Sequence, residues 1–266
     1  MKLTCETLFE KLWNQYTQLN PTAEVIHKLL KKDHNEIRND HVAFRTFKHA
    51  DFGIDHLAKA FIDLGYEEKG DYHFKIKKLY AKHFEHNDKN LPKVFISELL
   101  TENFSPFLQE TFQDIAKKTP EESKNSEGVS FSGKHWSINY KNYQKLYLES
   151  PYAAWLYAFG FCANHFTVYF NSLNNYNELE ELNSYLKQNN FTLNSSGGEV
   201  KGSPEVFLEQ SSTMANEIEV QFEDGNFKIP SCYYEFAKRY KQTDGSIYQG
   251  FVATSADKIF ESTNKS

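Results

Sequence analysis

The chain has 266 residues and a formal net charge of −6, from 36 acidic and 30 basic side chains. This length fits one large domain or two fused modules of about 100 to 130 residues. The sequence shows no basic region of the kind that binds nucleic acid. It contains no run of about 18 apolar residues, so no membrane span is predicted. Aromatic residues make up 16% of the chain, which is ample material for a large core.

The three cysteines, Cys5, Cys162 and Cys232, are odd in number and widely spaced, with no CxxC pair. This pattern is typical of a reducing compartment rather than of a disulfide framework. The N-terminal segment interrupts its apolar positions with charged residues such as Glu6 and Glu10, unlike a signal peptide. We therefore expect a cytoplasmic protein.

In chain order, two helices are predicted within the first 32 residues, because apolar positions recur at helical spacing on either side of Asn20-Pro21. A strand over 40–47 follows, and then a helix that ends at Gly65. Residues 66–86 indicate a hairpin, and 94–100 a further strand. The order of this first module is therefore β-α-β-β-β.

The middle of the chain is predicted to be helical, and the first pattern then returns. Helices over 105–117 and 143–158 flank a polar loop over 119–128, and the second helix restarts at Ser150-Pro151. A strand over 162–171 and an amphipathic helix over 176–190 follow. Further strands are predicted over 191–196, 205–212, 217–222 and 232–240. The tail from Ser255 is expected to form a short helix.

The second half thus repeats the strand, helix, strands order of the first, although the halves share little sequence identity. We predict an α+β fold in which two β-α-β-β-β modules form a half barrel of the vicinal oxygen chelate type. The expected single domain, 1–266, is divided into N-terminal helices (1–38), a first module (39–104), a helical insertion (105–160), a second module (161–254) and a C-terminal tail (255–266).

Histidine and carboxylate residues occupy matching places in the two modules. His41 precedes VAFRTF and His165 precedes FTVYF, while Glu98 and Glu235 lie in the predicted last strands. A divalent cation compensates for burying imidazole and carboxylate groups together. His41, His165 and Glu235 would form the facial set of ligands, two His and one carboxylate, that leaves coordination positions open on Fe(II). Glu98 would then be the carboxylate that does not bind the metal. Spacing alone leaves open a purely structural role for these histidines.

Other residues compete for the same role. Glu217 and Glu219 alternate with apolar residues as on a solvated strand face, whereas Glu235 has aromatic neighbours, so we prefer Glu235. Four further histidines lie among Lys, Asp and Asn and are expected at the solvated surface. They are His49, His56, His83 and His86.

Arg45 follows His41 by four residues, so in a strand both side chains point to the same face, roughly 13 Å apart. An arginine that faces a barrel interior needs an anionic partner. That partner could be the far carboxylate of a dicarboxylic substrate or an internal acid such as Glu98. The spacing does not choose between the two.

At DHVAFRTF, CANHFTVYF, KGSPEVFLEQSSTMA, IPSCYYEFAKRY and ADKIFEST, the chain resembles the 2-oxoadipate dioxygenase/decarboxylase family, over about residues 5–264. The family's His-x3-Arg element matches here as His41 and Arg45, its second His as His165 and its carboxylate as Glu235. The resemblance implies a barrel similar to that of hydroxymandelate synthase, with Fe(II) on the two His and Glu235. It also implies that Arg45 is the catalytic and substrate-binding residue.

The implied reaction converts 2-oxoadipate and O2 to 2-hydroxyglutarate and CO2, a step of lysine breakdown. The expected partners are a small 2-oxo acid and O2, without nucleic acid or membrane, and the expected assembly is a homodimer. Zn²⁺ or Ni²⁺ can replace Fe(II) in a purified sample. Two other readings stay open. One is a metal-dependent isomerase, lyase or hydrolase of the same scaffold that acts without O2, and the other is a non-catalytic binding protein.

Overall fold

The structure, a computed structural model, describes residues 3–34, 36–124 and 128–264. Its first two elements are the helices α1 (Cys5–Leu19) and α2 (Pro21–Leu30). They are separate because Pro21 begins α2 and the Asn20 side chain accepts a hydrogen bond from the Ala23 amide as its N-cap. Tyr16 on the buried face of α1 packs against the central sheet through Phe166.

The first module has the predicted order. It consists of β1 (Asn39–Phe47), α3 (Ile54–Ile62), β2 (Tyr66–Phe74), β3 (Leu79–His86) and β4 (Lys93–Leu99). The strands lie in the order β2-β3-β4-β1, with β1 parallel to β4 and the other pairs antiparallel.

The insertion is helical, as predicted, with α4 (Pro106–Lys118), α5 (Tyr140–Glu149) and α6 (Pro151–Phe159). Ser150 ends α5 and caps α6, because its side chain accepts a hydrogen bond from the Ala153 amide. The helix α6 is buried throughout, and its residues Tyr152 and Trp155 reach the sheet region near β1. Residues 125–127 of the predicted polar loop lie outside the described residues.

The second module repeats the topology of the first. It comprises β5 (Ala163–Tyr169), α7 (Leu179–Gln188), β6 (Lys201–Ser203), β7 (Leu208–Ser212), β8 (Glu217–Phe222), β9 (Gly225–Pro230) and β10 (Tyr233–Arg239). Its main strands lie in the order β5-β10-β7-β6, with β5 parallel to β10. Antiparallel pairing of β1 with β5 joins the two modules into one curled sheet of eight strands. The predicted half barrel is confirmed.

Two predicted strands of the second module differ in the structure, and a third forms as predicted but outside the main sheet. Residues 191–196 contribute only an isolated bridge from Leu193 to Thr213, because the Asn194 side chain donates hydrogen bonds into the C-terminal tail instead. The strand predicted over 205–212 begins only at Leu208, since Phe207 has a left-handed φ of 61°. The strand at 217–222 forms, but it pairs with β9 in a separate hairpin.

The tail closes the open side of the curled sheet. Helix α8 (Ala253–Ile259) contacts β2 at one edge of the sheet and both β6 and β7 at the other. A turn of 3-10 helix, Phe260–Thr263, follows it and packs on the insertion. The ion pair from Lys77 to Asp257 and the contact between Phe74 and Phe260 fix the tail to the first module.

No helix in the described part of the chain is long and apolar enough to cross a membrane. All three cysteines are free, as expected. Burial raises the pKa of the Cys162 thiol to about 12, so this cysteine is a neutral packing residue.

Candidate metal centre

Two histidines and one glutamate converge at the centre of the sheet. His41 lies near the start of β1, His165 in β5 and Glu235 in β10, and one candidate ligand atom of each lies within 4.8 Å of the other two. The Glu235 carboxylate is 3.2 Å from His165 Nε2 and 3.6 Å from His41 Nε2. The three residues are at most 4% exposed. The adjacency of β1, β5 and β10 therefore produces one compact three-residue group, which we call the triad.

The electrostatics of the triad fit a bound cation. Burial lowers the pKa of both imidazoles, that of His165 well below its ordinary value, so the nitrogens that face Glu235 are neutral. Burial raises the pKa of Glu235 to about 8, against the opposing hydrogen bond from Gln210. Its Oε2 is buried without a hydrogen-bond partner in the described part of the chain. A divalent metal would give that oxygen a partner and compensate the carboxylate charge.

His41 is held by a buried ion pair. The Asp40 carboxylate accepts a hydrogen bond from His41 Nδ1 at 2.8 Å, and Arg239 binds the same carboxylate through Nε and Nη2 at 2.6 and 2.8 Å. Burial would raise the pKa of Asp40, but the Arg239 charge outweighs it and holds this pKa well below its usual range. With the proton on Nδ1, Nε2 carries the lone pair, and it lies 3.1 Å from the Thr167 hydroxyl and 3.6 Å from Glu235 Oε1.

The same ion pair extends to the chain segment that covers the triad. Arg239 Nη1 donates to the carbonyls of Tyr248 and Gly250 at 3.0 and 2.8 Å. The next residue, Phe251, packs edge-on against the His41 ring with a centroid distance of 4.8 Å. Asp40 and Arg239 therefore fix both the imidazole and its aromatic cover.

His165 is supported by neutral groups. Its Nδ1 lies 3.0 Å from the Asn164 Oδ1, which is the hydrogen-bond acceptor there. The Tyr233 ring stacks on the imidazole, with 4.5 Å between centroids and 24° between planes. No described charged group forms a hydrogen bond with Nδ1 of His165.

The cavity at the triad is small and mostly apolar. Its volume is about 20 Å³, room for about one ion or water molecule. It is lined by the triad with Gln210 and by a shell of apolar residues, Phe95, Phe251, Ala256, Ile259 and Phe260. Three of these belong to the tail, so the tail separates the triad from solvent.

Arg45 lies in a different cavity, of about 440 Å³, between the insertion and the tail. Its guanidinium is buried over the rings of Tyr152 and Trp155, 5.0 Å from each centroid, and Nη2 donates to Thr263. Nε and Nη1 have no hydrogen-bond partner among the described residues. Within the described residues, Arg45 forms no ion pair, so the internal pairing with Glu98 is excluded. Phe260 lines both this cavity and that of the triad.

The sequence predicted that Glu98 is the counterpart of Glu235 in the first module. This prediction was wrong. In the parallel pairs, Lys93 lies opposite His41 as Tyr233 lies opposite His165, so the residue that matches Glu235 is Phe95. Glu98 instead accepts a hydrogen bond from the Ile54 amide at the start of α3. The two rival acids Glu217 and Glu219 are exposed on β8, as expected.

The surface assignment of the other histidines was wrong for His83. This residue is only 3% exposed, because Tyr72 hydrogen-bonds its Nδ1 and Phe251 packs on its ring. The remaining three, His49, His56 and His86, are half-buried, and none lies in the triad.

Sequence reasoning missed three supporting residues. Gln210 Nε2 donates to Glu235 at 2.6 Å, and Arg239 reaches Asp40 from the far end of β10. Arg239 was visible as a charged residue in the apolar run CYYEFAKRY, which is a signal for a buried partner. Tyr233 was read as an apolar neighbour of Glu235, and it proves to be the ring that stacks on His165.

A curled sheet of two β-α-β-β-β modules around a buried His-His-Glu group defines a protein of the vicinal oxygen chelate class with a candidate metal site. In agreement, a Ralstonia eutropha structure provisionally assigned to the glyoxalase superfamily superposes with a TM-score of 0.77 at 19% identity, over 94% of this chain and 86% of that one.

The chain belongs to the 2-oxoadipate dioxygenase/decarboxylase family, whose sequence profile matches residues 6–129 and 129–246. The chloroplastic enzyme of that name from Arabidopsis thaliana is 36% identical, over 98% of this chain and 79% of the relative. The resemblance found in the sequence is therefore confirmed, and the chain is an enzyme of this family.

Two solved structures share more sequence with the chain than the Ralstonia structure does. The hydroxyglutarate synthase from Oryza sativa, in complex with 2-oxoadipate, is 36% identical with a TM-score of 0.89, over 97% of this chain and 91% of that one. A Shewanella frigidimarina protein that carries a provisional name as a hydrolase is 50% identical with a TM-score of 0.91, over 95% of this chain and 99% of that one.

Proposed function

We propose that this protein is an Fe(II)-dependent dioxygenase/decarboxylase that converts 2-oxoadipate and O2 to 2-hydroxyglutarate and CO2. The observation that carries this proposal is the buried triad of His41, His165 and Glu235, in a chain of the 2-oxoadipate dioxygenase/decarboxylase family. A rice relative named hydroxyglutarate synthase was crystallised with 2-oxoadipate, which supports the choice of substrate.

In this proposal the two Nε2 atoms and the Glu235 carboxylate hold the metal. Two His and one carboxylate are the ligands typical of non-haem Fe(II) oxygenases. When bound, Fe(II) supplies open coordination positions for a chelating 2-oxo acid and for O2. Asp40 keeps the proton of His41 on Nδ1, and Gln210 orients the carboxylate of Glu235.

Arg45 would bind the far carboxylate of the substrate. Its guanidinium is buried, carries two donor groups without a partner and forms no ion pair with any described acid. A carboxylate would supply the missing negative charge and accept charge-assisted hydrogen bonds from the guanidinium. With the 2-oxo group at the triad and the second carboxylate at Arg45, the site would select a dicarboxylic substrate over a monocarboxylic one.

Substrate admission requires the tail to move. The cavity of about 20 Å³ at the triad does not hold a six-carbon diacid, and Phe260 stands between that cavity and the one at Arg45. An outward shift of α8 and Phe260 would join the two cavities. Return of the tail would place its apolar residues over the substrate and exclude bulk water, which protects the reactive species from side reactions.

The proposed reaction has a fixed balance that an experiment can check. One 2-oxoadipate and one O2 give one 2-hydroxyglutarate and one CO2, with no other co-substrate. The protein, reconstituted with Fe(II) without oxygen, should consume O2 when 2-oxoadipate is added. Turnover under argon, with no O2 uptake in air, would refute the proposal and favour an isomerase, lyase or hydrolase on this scaffold. The hydrolase name of the Shewanella relative makes that control necessary.

The cellular setting follows from the proposed reaction. Oxidative shortening of 2-oxoadipate places the protein in lysine breakdown, and we propose a cytoplasmic location because the free thiols Cys162 and Cys232 are buried without a disulfide partner. Fractionation of cells with an antibody to the protein would test this location.

A further inference from the structure

A second polar cavity lies next to the ion pair of Asp40 and Arg239. Its volume is about 470 Å³, and it shares no lining residue with the cavity at the triad. Its walls come from the start of β1, the segment before β4, the end of β5 and the segment after β10. We call it the basic cavity because four of its lining residues are cationic, Arg38, Lys89, Lys93 and Arg239.

The charges of the basic cavity do not balance. Its one lining carboxylate, Asp40, is already bound to Arg239 and His41. Lys89 is paired with Glu85 at 2.9 Å, outside the lining. Neither Arg38 nor Lys93 forms an ion pair with an acid in the described part of the chain, although Asp40 and Glu85 are near enough to attract Lys93.

Of these two residues, Lys93 gives the stronger evidence for a bound anion. It begins β4 opposite His41, and its ammonium forms no hydrogen bond or ion pair within residues 3–34, 36–124 and 128–264. Lys93 is half-buried, and an ammonium with three unused donors at the wall of a cavity can bind an oxyanion there.

Arg38 offers a second group of donors. Its Nη2 donates to the Lys89 carbonyl at 2.9 Å, and its guanidinium lies 5.5 Å from the centroid of the Tyr169 ring. This fixes the planar group at the wall of the cavity, yet its buried Nε has no partner. A held guanidinium with a free donor loses little conformational entropy when an oxyanion binds.

We propose that the basic cavity is a binding site for a small oxyanion, a carboxylate or a phosphate, held by Lys93 and Arg38. Both side chains line the same open cavity and carry charge-assisted donors, which is the arrangement that binds such anions. The site is separate from the triad and from Arg45, so the proposal does not depend on the reaction. An anion in this site would lie against Arg239, and thus one ion pair away from His41.

The test is titration of the purified, metal-loaded protein with inorganic phosphate and, separately, with succinate, by calorimetry. We compare the wild type with Lys93→Met, Arg38→Met and the matched control Lys228→Met, which removes an exposed charge on β9. Methionine keeps about the same side-chain length and removes a charge that forms no ion pair, so Lys93→Met should fold. Thermal unfolding of each variant checks this.

We expect one anion per chain, bound about tenfold more weakly in Lys93→Met and Arg38→Met and equally well in Lys228→Met. Binding of phosphate but not succinate would assign the site to a phosphate group, and the reverse to a carboxylate. The proposal fails if neither anion binds the wild type. It also fails if Lys93→Met binds the anion as tightly as the wild type, because the anion is then on the metal or on the surface.

Discussion

His41 and His165 hold equivalent places in the two modules, but the residues around them differ in charge. Behind His41 stands a buried carboxylate in a two-bond ion pair with Arg239, whereas behind His165 stands the neutral amide of Asn164. One face of the His165 ring is covered by Tyr233, whose counterpart in the strand register beside His41 is Lys93.

This comparison shows what an architectural repeat does and does not supply. The repeat sets the strand positions, so each module places one imidazole at the shared centre. The third member of the triad comes from the second module alone, because Phe95 occupies the matching place in the first. The first module instead contributes the cation Arg45, four residues after His41, where the second has Tyr169. In our proposal, metal ligands and substrate contacts are thus divided between the halves.

The largest expected effect is the difference between Glu235, a proposed metal ligand, and Glu98, which is not one. Glu235→Ala should lose stoichiometric Fe(II) and all activity, because it removes a buried anionic ligand. Glu98→Ala, the last-strand carboxylate of the other module, should keep both and lose only about 1 kcal/mol of stability at the start of α3. Iron content after anaerobic reconstitution and gel filtration measures the difference. Stoichiometric iron in Glu235→Ala would show that Glu235 is not a metal ligand and does not differ from Glu98 in this respect.

The buried ion pair behind His41 should dominate stability. Arg239→Met leaves Asp40 charged and unpaired in the interior, which should lower the free energy of unfolding by about 3–5 kcal/mol. On the other side, Asn164→Ala removes one neutral hydrogen bond and should cost about 1–3 kcal/mol. Urea unfolding of the metal-free proteins tests this, and equal losses in the two variants would contradict the asymmetry.

Metal affinity should respond to the same asymmetry in a graded way. Asp40→Asn gives His41 the neutral support that His165 has, and it should weaken metal binding about 10- to 100-fold. Anaerobic competition titration with a chelator measures the affinity apart from activity. Tyr233→Phe removes no charge near His165 and serves as the control with nearly unchanged affinity. If the two variants bind metal equally, the Asp40 carboxylate has no role in holding His41.

Arg45 should determine the preference of the enzyme for a dicarboxylic over a monocarboxylic substrate. The wild type should prefer 2-oxoadipate to 2-oxohexanoate, which lacks the far carboxylate, by about 10- to 100-fold in kcat/KM. Arg45→Met should lose this preference through a higher KM for the diacid, and its iron content should stay normal. A variant that keeps the preference would show that another group binds the far carboxylate.

The module order and the triad could be predicted from the sequence because each depends on local signals. Apolar periodicity separates helices from strands, and a histidine at the head of an apolar strand marks a buried polar group. Glu98 was mistaken for a counterpart of Glu235 because strand register is set by pairing between strands, which one sequence does not reveal.

Long-range packing explains the other differences. His83 is buried because Phe251, far away in the chain, packs on it, although its sequence neighbours are polar. The segment 191–196 forms no strand because Asn194 bonds to the tail at Lys258 and Ser262. The tail itself was predicted as a helix, but nothing in its composition shows that it closes the half barrel over the triad.

The most direct test of the proposed Fe(II)-dependent dioxygenase/decarboxylase activity is the stoichiometry of the reaction with Fe(II)-loaded protein. O2 uptake, CO2 release and formation of 2-hydroxyglutarate are measured together with 2-oxoadipate as substrate, in wild type and in Glu235→Ala. The account predicts one O2 consumed and one CO2 and one 2-hydroxyglutarate formed for each 2-oxoadipate, with none of these in Glu235→Ala. Turnover of 2-oxoadipate without O2 uptake, or unchanged turnover in Glu235→Ala, would contradict it.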